Sequence, residues 1–108
     1  MKRDVFQAVA DPTRRAIMVL LAATAMTPSA LAEHFDISRQ ATSKHVRILN
    51  ECGLLDQMKS GREIRYQLKP EKLQAIDVWL EQFRQLWQER YNNLDNLLET
   101  LQGEDDES

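Results

Sequence analysis

Residues Thr27 to Leu68, TPSALAEHFDISRQATSKHVRILNECGLLDQMKSGREIRYQL, decide the fold. Thr27-Pro28 is a helix start, because Thr can cap the free N–H groups and Pro fits a first position that needs none. The spacing predicts a helix over 29–35, with Leu31, Ala32 and Phe35 turned inward. Asp36-Ile37 is a short turn, and Ser38 caps a second helix running from Arg39 to about Glu51. Gly53 closes that helix, since glycine tolerates the left-handed position after a helix end. Thr42, Val46 and Leu49 step by four and three and form its buried stripe. Arg39, Gln40, Ser43, Lys44 and Arg47 are left facing outward. Such a face suits the DNA major groove, where Arg pairs with guanine and Gln with adenine, while Ser and Lys hold phosphates.

Two extended runs follow, residues 54–58 and 63–68, around Lys59-Ser60-Gly61-Arg62. Ile64, Tyr66 and Leu68 alternate with Glu63, Arg65 and Gln67, the pattern of a half-buried strand. Ser60-Gly61 supplies hairpin turn chemistry. Lys59, Arg62 and Arg65 make the tip positive and able to reach a nucleic-acid backbone. Any one of these cations alone is ordinary surface. Their clustering with the helix face favours binding.

Upstream, residues 4–10 form a short amphipathic turn with Val5, Phe6 and Val9 on one side. Asp11-Pro12 repeats the start signal for a helix through Ile17, Leu20 and Leu21, ending near Thr24. Arg14 and Arg15 fall in its first turn, where the macrodipole disfavours cations. Surface charge, a salt bridge to Asp11 and phosphate contact all remain open for them. Downstream, a helix of on the order of 45 Å is predicted over 71–102. Its apolar positions recur mostly at three- and four-residue steps, with Arg90 interrupting the seam. Leu80, Phe83, Trp87, Tyr91, Leu94 and Leu98 are more apolar surface than so small a chain covers by itself, so they are expected to meet a second copy. Gly103 is expected to end the helix and leave 103–108 as an acidic disordered tail, with residues 1–102 as one domain.

The 108 residues carry a net charge of −3, which at first disfavours nucleic acid. The distribution of that charge points the other way: residues 1–69 hold eleven Lys/Arg against seven Asp/Glu, and residues 70–108 hold three against ten. The one cysteine, Cys52, excludes an internal disulfide and suits a reducing cytoplasm. No apolar run nears the roughly 20 residues that span a bilayer. There is no Gly-rich phosphate loop, nucleophile elbow or paired His/carboxylate motif, so an enzyme is not expected.

Several of these segments together resemble the ArsR-type winged helix-turn-helix repressors. The resemblance rests on Asp11-Pro12-Thr13-Arg14-Arg15 with Ile17 and Leu20, on the run from Ser38 to Leu49, and on Glu51-Cys52-Gly53-Leu54-Leu55. Ser60-Gly61-Arg62 followed by Arg65-Tyr66 matches the family's wing. It implies a mostly α fold with a small β-hairpin wing and a long C-terminal dimerisation helix. It implies a homodimeric repressor on an inverted-repeat operator in double-stranded DNA, relieved by a small-molecule or protein inducer. The recognition role falls on Arg39, Gln40, Ser43, Lys44, His45 and Arg47, with Thr42 counted among them despite its place on the stripe, and the wing role on Arg62 and Arg65. No metal or cofactor is expected: residues 33–43 hold no Cys, residues 70–108 hold neither His nor Cys, and His45 with Cys52 falls short of a zinc set. A winged-helix module used only for protein assembly is the alternative, and the clustered cations argue against it.

Overall fold

In the computed structural model, which describes residues 4–107 and the side chains of 4–103, the helix starts read at Asp11, Thr27 and Ser38 are capped as expected, whereas the long helix read from 71 begins at Gln74 after a 3-10 turn without a side-chain cap. Helix α1 (Val5–Ala8) opens with a reciprocal capping box between Asp4 and Gln7. Helix α2 (Pro12–Ala23) opens with the Arg14 N–H donating to the Asp11 carboxylate at 2.9 Å. Helix α3 (Pro28–Phe35) is capped by the Thr27 hydroxyl, and α4 (Arg39–Glu51) by the Ser38 hydroxyl, which accept from Ala30 at 3.1 Å and Ala41 at 3.0 Å.

The closures of α3 and α4 are alike. Gly53 sits at φ +75°, its N–H bonds Asn50 O, and Leu54 N–H reaches back to Leu49 O. That doubled bond satisfies the last carbonyls of α4 and brings two fully buried leucines together. Asp36 does the same for α3 at φ +52°, with Asp36 and Ile37 N–H bonding Glu33 and Ala32 O. Aspartate is among the few non-glycine residues that adopt this conformation readily.

The core gathers Ile17, Leu21, Leu31, Leu49 and Leu54, all fully enclosed, with Val5, Ala8, Met18, Val46, Leu55 and Leu68 around them. Phe6, expected inward, is instead exposed, because the four-residue α1 turns Val5 and Ala8 to the core.

Strands β1 (Leu55–Ser60) and β2 (Glu63–Leu68) pair antiparallel from Leu55↔Leu68 to Ser60↔Glu63. The turn is therefore Gly61-Arg62 rather than Ser60-Gly61. Gly61 takes the positive φ (+64°) that a two-residue hairpin needs at its first central position. A contact unforeseen in the sequence ties the wing down. Met26 and Tyr66 form an isolated antiparallel bridge, with N–H donors at 3.0 and 2.8 Å from the opposite carbonyls.

A single 3-10 turn (Pro70–Leu73) leads into α5 (Gln74–Glu107). This helix continues through Gly103 instead of stopping there. Gly103 lacks the positive φ that closes α3 and α4, and glycine inside a helix costs only about 1 kcal/mol relative to alanine. Residue 108 and the side chains of 104–108, where the acidic tail was expected, lie outside the described residues. By contacts the chain divides into two compact units, residues 1–76 and 77–108, with the division inside α5.

Arg14 and Arg15 find partners that the sequence did not suggest. Arg14 donates from Nε to Ala8 O at 3.0 Å and from a terminal nitrogen to Gln7 O at 2.9 Å, and Arg15 donates to Val9 O at 2.7 Å. These cations hold the end of α1 against α2. Arg14→Ala is expected to lower stability by about 1–3 kcal/mol, as for lost hydrogen bonds to a charged group, while DNA affinity at low temperature stays unchanged. Chemical denaturation and DNA titration of the same sample check this; an unchanged midpoint with weakened DNA binding would return Arg14 to the DNA contacts.

Candidate nucleic-acid interface

The rotation of α4 about its axis follows from its stripe. Thr42 is fully enclosed, with its hydroxyl donating to Ser38 O at 2.9 Å, and Val46, Ile48 and Leu49 are buried beside it. Thr42 therefore leaves the DNA-contacting set, because its one polar group is spent inside the first turn. The opposite side presents Arg39, Gln40, Ser43, Lys44 and Arg47, all exposed, as are Arg62 and Arg65 on the wing. Arg39, Lys44, Arg47 and Arg62 form no salt bridge with any described carboxylate. Arg65 only approaches Glu63, at 4.0 Å.

His45 is displaced from that face. It is half-buried, and its Nδ1 is covered with no hydrogen-bond partner among the described residues. Burial lowers its pKa below the ordinary imidazole value; the nearby Arg14 and Lys44 push the same way, and Asp11 opposes them. Asp11 in turn is held below the usual carboxylate range, chiefly by the Arg14 backbone N–H and then by nearby positive charge. His45 is thus packed over part of its surface, near the start of α2. Cys52 is half-buried against the core. Among the described residues, no three His, Cys, Asp or Glu side chains gather as metal ligands.

A cleft of about 310 Å³ lies where the start of α3, the start of α4 and the wing meet. Thr27, Ser29, Arg39, Arg62, Glu63 and Tyr66 contribute to its walls. Ser29 and Glu63 were not singled out from the sequence. The signal for Ser29 lay in Thr27-Pro28, which places it in the first turn of a helix, but nothing local reveals that the wing folds back beside it.

In the second unit, the aromatic residues stack along α5. Trp79 meets Phe83 edge-on with ring centroids 5.0 Å apart, and Phe83 stacks on Trp87 at 6.4 Å. Leu80 and Phe83 are half-buried, whereas Trp87, Tyr91, Leu94 and Leu98 are exposed, Tyr91 by 67%. No helix among the described residues is long and apolar enough to cross a membrane.

A capped helix pair with a tight left-handed turn, a second helix whose polar face is open, and a two-stranded wing define a winged helix-turn-helix DNA-binding module. Known proteins agree. A family model described as a helix-turn-helix domain matches residues 9–57. The chain is 39% identical over 80 residues to the transcriptional repressor SdpR of Bacillus subtilis, which covers 74% of this chain and 89% of that protein. It is 37% identical over 78 residues to the HTH-type transcriptional regulator Rv2034 of Mycobacterium tuberculosis, or 72% of this chain and 73% of that one. Among solved structures, an ArsR-like transcriptional regulator from Rhodococcus sp. RHA1 superposes with a TM-score of 0.69 at 35% identity, covering 89% of this chain and 88% of its own. The chain belongs to the ArsR family of winged helix-turn-helix transcriptional regulators, DNA-binding proteins rather than enzymes.

The half-buried imidazole has a consequence for stability. In the folded chain His45 favours the neutral form, so the unfolded chain takes up its proton at higher pH. Stability is full above the ordinary value of 6.5 and falls as pH drops through it. Thermal melts at about pH 7.5 and about pH 5.5 should show a loss in the wild type that is smaller in His45→Gln. Equal losses in both would place the titration on other groups.

Proposed function

We propose that the protein is a homodimeric cytoplasmic repressor that binds an inverted-repeat operator, with α4 in the major groove and the wing on the adjoining backbone. The observation that carries this reading is the exposed face of α4. It combines an amide, a hydroxyl and cations that have no carboxylate partner among the described residues, and it lies opposite a fully buried stripe. Gln40, Ser43, Lys44 and Arg47 supply the donors and acceptors of direct readout, and Arg62 and Arg65 supply backbone contacts. The repressor role also draws on the named role of SdpR.

Dimerisation is assigned to α5. Leu80, Trp87, Leu94 and Leu101 fall seven apart, the repeat of a helix–helix seam, and all but the half-buried Leu80 stay largely exposed in the single chain. A two-fold pair would set its recognition helices about 34 Å apart, one turn of DNA. The chain lacks the Cys-x-Cys pair of the family's metal sensors.

Two measurements test this. The protein should bind the DNA upstream of its own gene more tightly than a scrambled duplex of equal length, and more weakly as salt rises. Gln40→Ala should shrink that preference by about 1–3 kcal/mol, the worth of one bidentate base contact. Equal, feeble binding to both duplexes by the wild type would return the protein to an assembly role. Separately, sedimentation should find a dimer for the wild type and a single chain for Leu94→Asp. A variant that remains dimeric moves the interface off this stripe.

A further inference from the structure

The cleft between α3, α4 and the wing is framed by fixed elements. Tyr66 on its wall is tied through backbone bonds to Met26, one residue before the Thr27 cap of α3. The wing is thereby pinned beside the helix starts, and Arg39 and Arg62, 23 positions apart in sequence, line the same space. Neither guanidinium has a carboxylate within salt-bridge distance among the described residues.

The angular position of Arg39 matters equally. It is the first residue of α4, and at 3.6 residues per turn its side chain leaves the helix about 100° away from that of Gln40. Gln40, Ser43, Lys44 and Arg47 cluster within about 100° of one another, and Arg39 lies at the margin of that sector, where the face meets the buried Val46. A side chain there is poorly aimed for the floor of a groove that Gln40 faces. It is well aimed for the wall.

We propose that this cleft seats one backbone phosphate of the bound DNA, gripped jointly by Arg39 and Arg62, so that Arg39 sets the register of the protein on the duplex instead of reading a base. The proposal rests on the DNA-binding reading above and revises the role that the sequence alone suggests for Arg39. The cleft has room for the group, at about ten times the roughly 30 Å³ of one liquid water. Two planar guanidiniums offer paired N–H donors that match phosphate oxygens. Ser29 adds a hydroxyl at the same wall. Glu63 is the opposing group: it is among the residues that line the cleft, and only Arg65 approaches its carboxylate among the described residues, at 4.0 Å with both side chains more than half exposed. It weakens the seat for an anion and so sets how tightly the wing holds DNA.

The test uses the full chain and two probes, the upstream fragment and the scrambled duplex, each titrated over a range of salt. Arg39→Ala and Arg62→Ala should weaken binding to both probes by the same factor, leaving the preference for the upstream fragment unchanged. Each should make the slope of log K against log salt shallower, and the double variant should make it shallower by about 0.9, the value for one phosphate. The double variant should also lose less than the product of the two single losses, because both arginines hold one group. Arg39→Lys should keep most of the slope, and Glu63→Gln should tighten binding to both probes. Thermal melts confirm that each variant is folded. If Arg39→Ala abolishes the preference and leaves the slope intact, Arg39 reads a base and the proposal fails. If the two losses multiply independently, the arginines serve separate phosphates and the shared seat is wrong. A wild type without preference for the upstream fragment would overturn the operator reading alone, since the phosphate comparison runs on scrambled DNA equally well.

Discussion

Burial of Thr42, Val46 and Leu49 fixes the rotation of α4, and the polar face it leaves open follows from that one constraint. A helix rotated by one position would carry Ser43 into the place of Thr42 and the Arg47 charge into that of Val46, and burying an unpaired charge is costly. The Thr42 hydroxyl donates to Ser38 O, so the stripe tolerates a polar residue without an unsatisfied buried group. Gly53 then reverses the chain through its left-handed conformation, and Leu54 packs beside Leu49 at the start of the wing. Helix face and wing tip are therefore set by one packed junction.

Features governed by neighbours in sequence were legible. Asp11, Thr27 and Ser38 cap as their residue types dictate, and Gly53 closes α4 because only a few residues enter the left-handed region. The outward set of α4 was legible for the same reason, since helical period alone divides it from the stripe. What failed was non-local. The Met26–Tyr66 bridge joins residues forty apart, and Met26 stands in no alternating run that would mark a strand. Arg14 and Arg15 look like surface charge until α1 folds back and offers its carbonyls. Helical period places His45 between the buried Ile48 and Thr42, but its charged neighbours at the start of α2 are brought near only by the tertiary fold. Gly61 was assigned to the turn correctly, but the pairing register moves the turn one residue onward.

Charge divides between the parts of the chain in keeping with two kinds of partner. Residues 1–69 carry a net charge of +4 and residues 70–108 one of −7. An acidic helix repels a polyanion, so the exposed leucines and aromatics of α5 suit another protein surface better than DNA. Within that helix, Arg84 is engaged by Asp77 and by Glu81 at 2.8 Å, and both hydrogen bonds raise its already high pKa. That arginine is committed to its own helix.

The arginines sort by what already occupies them. Arg14 and Arg15 spend their donors on backbone carbonyls, and Arg84 on carboxylates of its own helix. Arg39, Arg47 and Arg62 have no such ion pair among the described residues. An arginine in an internal ion pair must break that pair before it meets DNA, which offsets the gain; an unengaged one releases counterions from the phosphate at no such cost. Sequence position does not predict this division, since Arg14 and Arg39 each lie at the start of a capped helix. The difference is what stands opposite: the carbonyl end of α1 for Arg14, and an open cleft with a second guanidinium for Arg39. Two like charges facing one cavity repel, and an anion between them removes that repulsion as well as neutralising each charge. The feature that makes the cleft unfavourable when empty favours an anion between the two arginines, and Glu63 in the same lining offsets part of that gain.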